Sequence, residues 1–326
     1  MVEIEHPKVQ SVEIGTEDAG QRLDNFLLRT LKGVPKSRIY RIVRKGEVRV
    51  NKKRAKVDYR IEVGDQVRIP PVRIAQRQEP SILHHDHFPE LEVIAETDGW
   101  CAVNKPAGLA VHGGSGVNLG LIERFRLQRP ECKRLELVHR LDRGTSGVLL
   151  IAKKRSELVH LQSLFRNKTA IDKRYIAFVK GAWPKHLCDL RCPLKRSEER
   201  ADGRFVRVSE QGKDAQTRFG LIDASSKISV IQASPITGRT HQIRVHARHL
   251  GHPLAGDDKY GDDEFNAQLR KSGLKRLALH AAALSFVDQN ALPHRLIAPL
   301  PHDLVRFSQA MHLNVENLTP SLTALL

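Results

Sequence analysis

The stretch VHRLDRGTSGVLLIAKK, residues 138–154, sets a single carboxylate, Asp142, between Arg140 and Arg143, directly ahead of an apolar run from Val148 to Ala152. Two guanidinium neighbours favour the ionised carboxylate if they pack against it. An ionised aspartate suits nucleophilic attack better than proton donation. The turn that follows, RGTSG, carries two glycines that permit a close approach of backbone or ligand. On residue types alone the simpler reading of Asp142 is a turn-capping aspartate in a structural ion pair.

A second constellation is PITGRTHQIRVHARHLGHPLAGDDKYG, residues 235–261. A helix capped by Thr240 and closed by Gly251 would bring His241, Arg244 and Arg248 near one stripe, able to grip a phosphate or pair with a carboxylate. Arg239 falls beside the helix N-terminus, where backbone N–H groups favour anions. The same segment reads equally well as a solvated basic helix. Asp257, Asp258, Asp262, Asp263 and Glu264 flank KYG and suggest a divalent cation, but Lys259 and the surrounding loop-formers favour a surface turn. The cluster His84, His85, Asp86, His87 is consecutive, and consecutive residues do not converge easily on one ion, so no metal site is expected there. NKPAGLAVHGGSG (104–116) is glycine-rich yet fits neither the phosphate-loop nor the dinucleotide spacing, so no nucleotide cofactor is expected. Tyr175, in KRYIAFV, shares its face with Ala177 and Val179 if it is only a strand residue.

These groups need a scaffold. A chain of 326 residues is long for one compact unit and short for three, so a small module and a larger domain are expected. Between Gly20 and Arg73 stand 16 Lys or Arg against 5 Asp or Glu, so this stretch holds +11 of the chain's net +17. Charge so concentrated points to a polyanionic partner. Within it, Leu23, Phe26, Leu27 and Leu31 recur at helical spacing, with Arg22, Asp24 and Arg29 on the polar side. A second helix, SRIYRIVRKG, is capped by Ser37 and ended by Gly46; it turns Ile39, Ile42 and Val43 inward and Arg38, Arg41 and Lys45 outward. Alternating Val48 and Val50, and then GDQVRIP, read as strands. The Arg22–Asp24 triplet, the Ser37-Arg38 helix start and the Gly46–Asn51 strand resemble the S4 RNA-binding domain, which implies RNA contacts through Arg38, Arg41, Lys45, Lys52 and Lys53.

The expected boundaries are an N-terminal RNA-binding module at 20–75, a proline-containing linker at 76–90 and a catalytic domain at 91–316. From Leu91 onward, strands (LEVIAE, WCAVNKP, SGVLLIAK, KRYIAFVKG, ISVIQAS, ALHAAALSF) mix with helices such as SELVHLQSLFRNK, in which Leu158, Leu161, Leu164 and Phe165 align. Strands without regular alternation predict an α+β domain with a largely antiparallel sheet. Apolar stretches fall far short of the roughly 20 residues that cross a bilayer, and MVEIEHPKVQ has no apolar leader core, so a cytoplasmic protein is expected. Cys101, Cys132, Cys188 and Cys192 form no CxxC pair and read as buried or half-buried thiols. Residue types alone leave open an RNA-holding assembly factor and a metal-dependent nuclease built on Asp257 and Asp258.

HRLDRGTSGVLLIAK, KRYIAFV, TGRTHQIRVHARHLGHPLAGDDKYG and NKPAGLAVH together resemble the ribosomal large-subunit pseudouridine synthases, over about residues 12 to 310. The resemblance implies the pseudouridine synthase fold, a mixed, largely antiparallel sheet with a central cleft, and isomerisation of uridine to pseudouridine in 23S ribosomal RNA. It implies a monomer needing neither cofactor nor metal. Asp142 matches the catalytic aspartate, Tyr175 the tyrosine lying against the target base, and Arg244 the basic residue paired with the aspartate. Arg140 matches the arginine that displaces the uridine from its stack, and Arg239 and His241 are expected to contact RNA. Gly144 departs from the Asp or Thr more usual in the family and is read as a change in the turn.

Overall fold

The computed structural model describes residues 9–315 except 32, 73–88, 114–118, 133, 169 and 198–204. The chain divides into two units, residues 1–89 and 90–326. Most of the expected linker and the His84–His87 cluster lie outside the described residues.

In the first unit, β1 (Gln10–Glu13), α1 (Leu23–Thr30), α2 (Lys36–Arg44), β2 (Arg49–Val50), β3 (Lys53–Arg54) and β4 (Gln66–Ile69) follow one another. The strands form an antiparallel sheet in the order β1-β4-β2-β3. The helices bury Phe26, Leu27, Ile39, Ile42 and Val43 against Val48 and Val67, the pattern that the helical spacing predicts. Asp24 is not on the polar side as expected. It is buried, and its carboxylate takes hydrogen bonds from Arg22 (2.9 and 3.1 Å) and from the Tyr40 hydroxyl (2.8 Å), which ties α1 to α2. Burial alone would raise its pKa; the Arg22 and Tyr40 bonds outweigh that and hold it below the usual carboxylate range. Ser37 caps nothing, because the helix opens one residue earlier with Pro35 at the N-cap. Gly46 closes the helix in the left-handed region, φ 71°. Arg41, Lys45, Lys52 and Lys53 are exposed and Arg38 is half-exposed.

The second unit contains β5 (Val93–Glu96), β6 (Trp100–Lys105), α3 (Leu121–Gln128), β7 (Glu136–Leu137), β8 (Ser146–Ala152) and α4 (Arg155–Asn167). It continues with β9 (Ile171–Lys180), β10 (Asp189–Arg191), β11 (Leu194–Ser197), β12 (Phe205–Val208), β13 (Gln216–Ala224) and β14 (Ile228–Pro235). It ends with α5 (Gln242–His249), α6 (Asp263–Lys271), β15 (Leu279–Val287), β16 (Pro293–Ile297) and α7 (His302–Ala310). A ten-stranded sheet runs β10-β13-β14-β9-β15-β8-β6-β5, with β16 on β15 and β7 on β8. Every ladder in it is antiparallel except β8 with β15, so the sheet is mixed and largely antiparallel, in an α+β unit.

β8 is buried at every residue because both its faces are covered. Val148, Leu150 and Ala152 pack against Leu158 and Leu161 of α4, while Leu149 and Ile151 pack against Leu121, Ile122 and Phe125 of α3. Each such aliphatic side chain contributes roughly 2 kcal/mol of hydrophobic stabilisation. β9 is divided in the same way: Ile176 and Phe178 face Phe265, Leu304 and Phe307, and Ala177 and Val179 face Ile243 and Ala247 of α5. Tyr175 belongs to the second face. This sandwiching fixes β8, which the Asp142 turn leads into, and β9, which carries Tyr175 at its middle.

Of the cysteines, Cys101 is buried and Cys132 and Cys192 are half-buried. Cys188 is exposed, contrary to expectation, because it precedes β10 at the open edge of the sheet.

Candidate active site

Arg140, Asp142, Tyr175, Arg239, His241 and Arg244 all line one cleft of about 590 Å³ in the second unit. The turn after β7 carries Arg140 and Asp142, β9 carries Tyr175, the segment between β14 and α5 carries Arg239 and His241, and α5 itself carries Arg244.

The flanking arginines do not steady Asp142 as expected. Arg143 donates its Nε to the carbonyl of Gly108 (2.9 Å), and Arg140 is exposed at the cleft. Neighbours in a non-helical backbone point apart, which is why adjacency in sequence misleads here. The carboxylate faces Arg244 instead, with Nη1 3.4 Å from Oδ2, and His241, with Nε2 3.7 Å from the same oxygen.

Arg244 is buried and held by Asp257, also buried: Nε donates to Oδ2 at 2.8 Å and Nη2 to Oδ1 at 2.7 Å. Asp257 also accepts the backbone N–H groups of Lys259 and Tyr260, both at 2.9 Å. Burial pushes its pKa up, and the Arg244 bonds pull it down further, so the carboxylate stays ionised. The surface turn expected at Asp257 is thus a buried anchor; only Asp258, its side chain almost fully exposed, fits that expectation. Asp262 caps α6 and pairs with Lys180. Asp257 is taken up by Arg244, and among the described residues no group of three or more His, Cys, Asp or Glu could hold a metal ion.

α5 begins at Gln242 with His241 at its N-cap, in the left-handed region at φ 54°, and Thr240 accepts a hydrogen bond from Arg196 rather than capping. The helix is buried at every residue from Gln242 to Ala247, so it is not a solvated basic surface, and the expected stripe separates into a buried Arg244 and an exposed Arg248. His241 Nδ1 lies 2.8 Å from the Tyr260 hydroxyl, whose oxygen accepts the Val206 N–H at 3.0 Å. With the Tyr260 proton given to Nδ1, the imidazole proton sits on Nε2 and points to Asp142. Burial lowers the His241 pKa against the pull of the Asp142 charge.

Tyr175 is paired across the sheet with two alanines, Ala233 on β14 and Ala281 on β15, and its half-buried ring lines the cleft. Burial, and then the Asp142 charge, push its phenol up, so it remains neutral. Arg239 is half-buried and donates to the Asp214 carbonyl.

Sequence reasoning missed Lys105 and Tyr260, and singled out Asp257 only as a loop acid. Lys105 is fully buried and donates to the carbonyls of Pro106 (2.8 Å), Leu109 (2.7 Å) and Arg143 (3.2 Å). Burial pushes its ammonium down to about 7. It clasps the NKPAGL loop to the Asp142 turn. Gly144 lies outside the left-handed region, and a Cβ built there would stand 3.2 Å from the Leu277 Cβ, so the glycine makes room for Leu277. In the first unit, Arg38 and Arg41 line a basic hollow with Arg44, and Lys53 lines another with Arg54 and Lys56.

Asp142, Tyr175 and Arg244 all fall within the stretch that a family model matches. Residues 99–249 match the model of the RNA pseudouridylate synthase family, and residues 21–67 match that of the S4 domain. The chain belongs to the RNA pseudouridylate synthase family. It is 50% identical over 315 residues to the ribosomal large subunit pseudouridine synthase C of Salmonella typhimurium, covering 94% of this chain and 98% of that one. It is 52% identical over 303 residues to the protein of the same name from Yersinia pestis, covering 92% and 94%. Among solved structures, Human RNA Pseudouridylate Synthase Domain Containing 4 superposes with a TM-score of 0.56 at 27% identity, covering 69% of this chain and 95% of that one.

Proposed function

We propose that this protein isomerises uridines of the large-subunit, 23S, ribosomal RNA to pseudouridine, acting as a cytoplasmic monomer without a cofactor. The observation that carries the reading is the single carboxylate of Asp142 facing Arg244 inside a cleft that also holds Tyr175. The half-identical relatives, which share nearly the whole chain length, support the choice of RNA.

Pseudouridine formation breaks the N1–C1′ bond, turns the uracil over and joins C5 to C1′. Glycoside hydrolases need a second carboxylate to manage water or the leaving group; an isomerisation that keeps its own base does not. Asp142 serves either by attacking the sugar or by taking a proton to give a glycal-like intermediate, and both routes need it ionised. Arg244, pinned by Asp257, holds that charge in place, and His241 Nε2 stands 3.7 Å from the same oxygen. Taking the base from its stack costs a few kcal/mol. Arg140, exposed at the cleft rim, fills the vacated stack, and Tyr175 lies against the uracil, which together offset that cost.

RNA is drawn in electrostatically. Arg239 stands at the cleft, while Arg38, Arg41, Lys45, Lys52 and Lys53 offer the first unit's cations to the phosphate backbone. The test is Asp142→Asn, which keeps the side chain's shape and removes its charge. Ribosomal RNA from cells carrying only this variant should lack pseudouridines that nucleoside mass spectrometry finds with the wild type, while the purified variant still binds the RNA. Normal pseudouridine formation by the variant overturns the reading.

A further inference from the structure

At one end of the cleft is a cation that the scheme above does not use. Lys173 lies on β9 two residues before Tyr175, so both side chains leave the same face of the strand. It is half-buried, and desolvation pushes its ammonium down to about 8. Its neighbour Asp172 is engaged with Arg174 at 2.7 Å, and no carboxylate of the described residues lies within ion-pairing distance of Lys173. The contact it does make is to the Thr237 carbonyl, at 3.5 Å. An ammonium has three donors, and leaving it desolvated with one long acceptor is costly unless a ligand completes it.

The surroundings favour an anion. Lys168 and Arg166, at the end of α4, line the same region, and Lys168 is held in the left-handed conformation at φ 61°. The wall beside them is Phe165 stacked on His139, with centroids 4.6 Å apart and planes 16° apart. His139 accepts the Leu150 N–H through Nε2, and burial, aided by the Lys173 charge, pushes its pKa down to about 3, so it contributes no positive charge of its own. Asp142 is the sole acidic side chain lining the cleft among the described residues.

We propose that Lys173, with Lys168 at its mouth, binds a phosphodiester of the RNA strand flanking the flipped uridine, so that the cleft recognises its nucleotide by phosphate as well as by base. The inference rests on reading the cleft as a uridine isomerase.

The test uses full-length wild-type protein, Lys173→Met and Lys173→Arg, with deproteinised large-subunit RNA from cells lacking the gene. Binding is followed against salt concentration, and pseudouridine formation is followed under saturating and limiting RNA. Lys173→Met should weaken binding roughly tenfold or more, as expected for loss of a charged hydrogen bond. It should also flatten the dependence of log affinity on log salt by about 0.7 to 1, the share of one phosphate contact. KM should rise while kcat stays within about twofold, and Lys173→Arg should restore the salt slope. Thermal unfolding of Lys173→Met should come at or above the wild-type temperature, because an unpaired desolvated charge is removed; a lysine that merely holds the fold would lower it. An unchanged salt slope and affinity in Lys173→Met, or a fall in kcat at constant KM, overturns the proposal. Lys173-dependent binding by a wild type that forms no pseudouridine would uphold the phosphate contact and defeat the isomerase reading instead.

Discussion

Asp257 grips Arg244 at both Nε and Nη2, and this leaves Nη1 to face Asp142. The guanidinium plane is therefore set by the GDDKYG loop, fifteen residues beyond the start of α5. One arginine serves as structural anchor and as counter-ion to the proposed reacting carboxylate, so the fold and the site stand or fall together here.

Replacing Asp257 with Asn strikes at both roles together. The buried Arg244 loses its counter-ion, and breaking such a pair from one side costs about 3–5 kcal/mol. The urea midpoint should drop accordingly, and pseudouridine formation should fall with it. Arg244→Lys should not restore activity, because one ammonium cannot reproduce a planar fork that reaches two carboxylates.

Tyr260→Phe tests the chain from Val206 through Tyr260 and His241 to Asp142. The substitution leaves the Val206 N–H and His241 Nδ1 without the hydroxyl, a loss of about 1–3 kcal/mol in a urea melt. With its tautomer no longer fixed, His241 should hold Asp142 less well. The expected kinetic signature is a lowered kcat at nearly constant KM for RNA.

Two glycines of the Asp142 turn should respond differently to alanine. Gly147 sits at φ 110°, and a Cβ built there would lie 2.1 Å from the Ala281 carbonyl oxygen, in the parallel pairing of β8 with β15. Gly147→Ala should therefore part those strands and cost several kcal/mol. Gly144→Ala meets the Leu277 side chain at 3.2 Å and should cost only about 1–3 kcal/mol, the usual range for mild overpacking. Urea midpoints of the two variants, measured side by side, check the contrast.

The helical spacing of Leu23, Phe26 and Leu27, and of Leu158, Leu161 and Leu164, was legible in the sequence because burial imposes a local period on helices. The strands of β6, β8, β9 and β15 were legible as apolar runs. β13 was not, because Thr217, Phe219 and Leu221 alternate with the exposed Arg218 and Gly220 and so form no continuous apolar run. At the site, the motifs marked Asp142, Tyr175 and Arg244, but not their partners. Asp257 looked like one acid of a polar loop, since nothing local reveals that a carboxylate thirteen residues away will be buried by an arginine. Lys173 did have a signal: it shares the period-two face of Tyr175.

Acid should destabilise the protein well above the range in which carboxylates titrate. Burial pushes His139 down to about 3 and His280 to about 4, from an unfolded value near 6.5. As pH falls through 6.5, the unfolded chain takes up a proton at each ring while the folded protein takes up none until near pH 4. The unfolded state then holds more protons, so stability rises with pH across this window and is lost on acidification, by up to about 1.4 kcal/mol per pH unit for each ring. Glu157, whose pKa burial raises, acts in the opposite sense above about 4.5, but His241 and His246, which burial also lowers, act with the other two rings. Asp24 and Asp257, with lowered values, add their losses only as pH falls through the unfolded aspartate value, about 3.9. Urea midpoints at constant slope should therefore fall steadily from pH 6.5 to pH 4.5. A flat profile over that interval would mean that both imidazoles titrate as in free solution and that neither is held neutral by the fold.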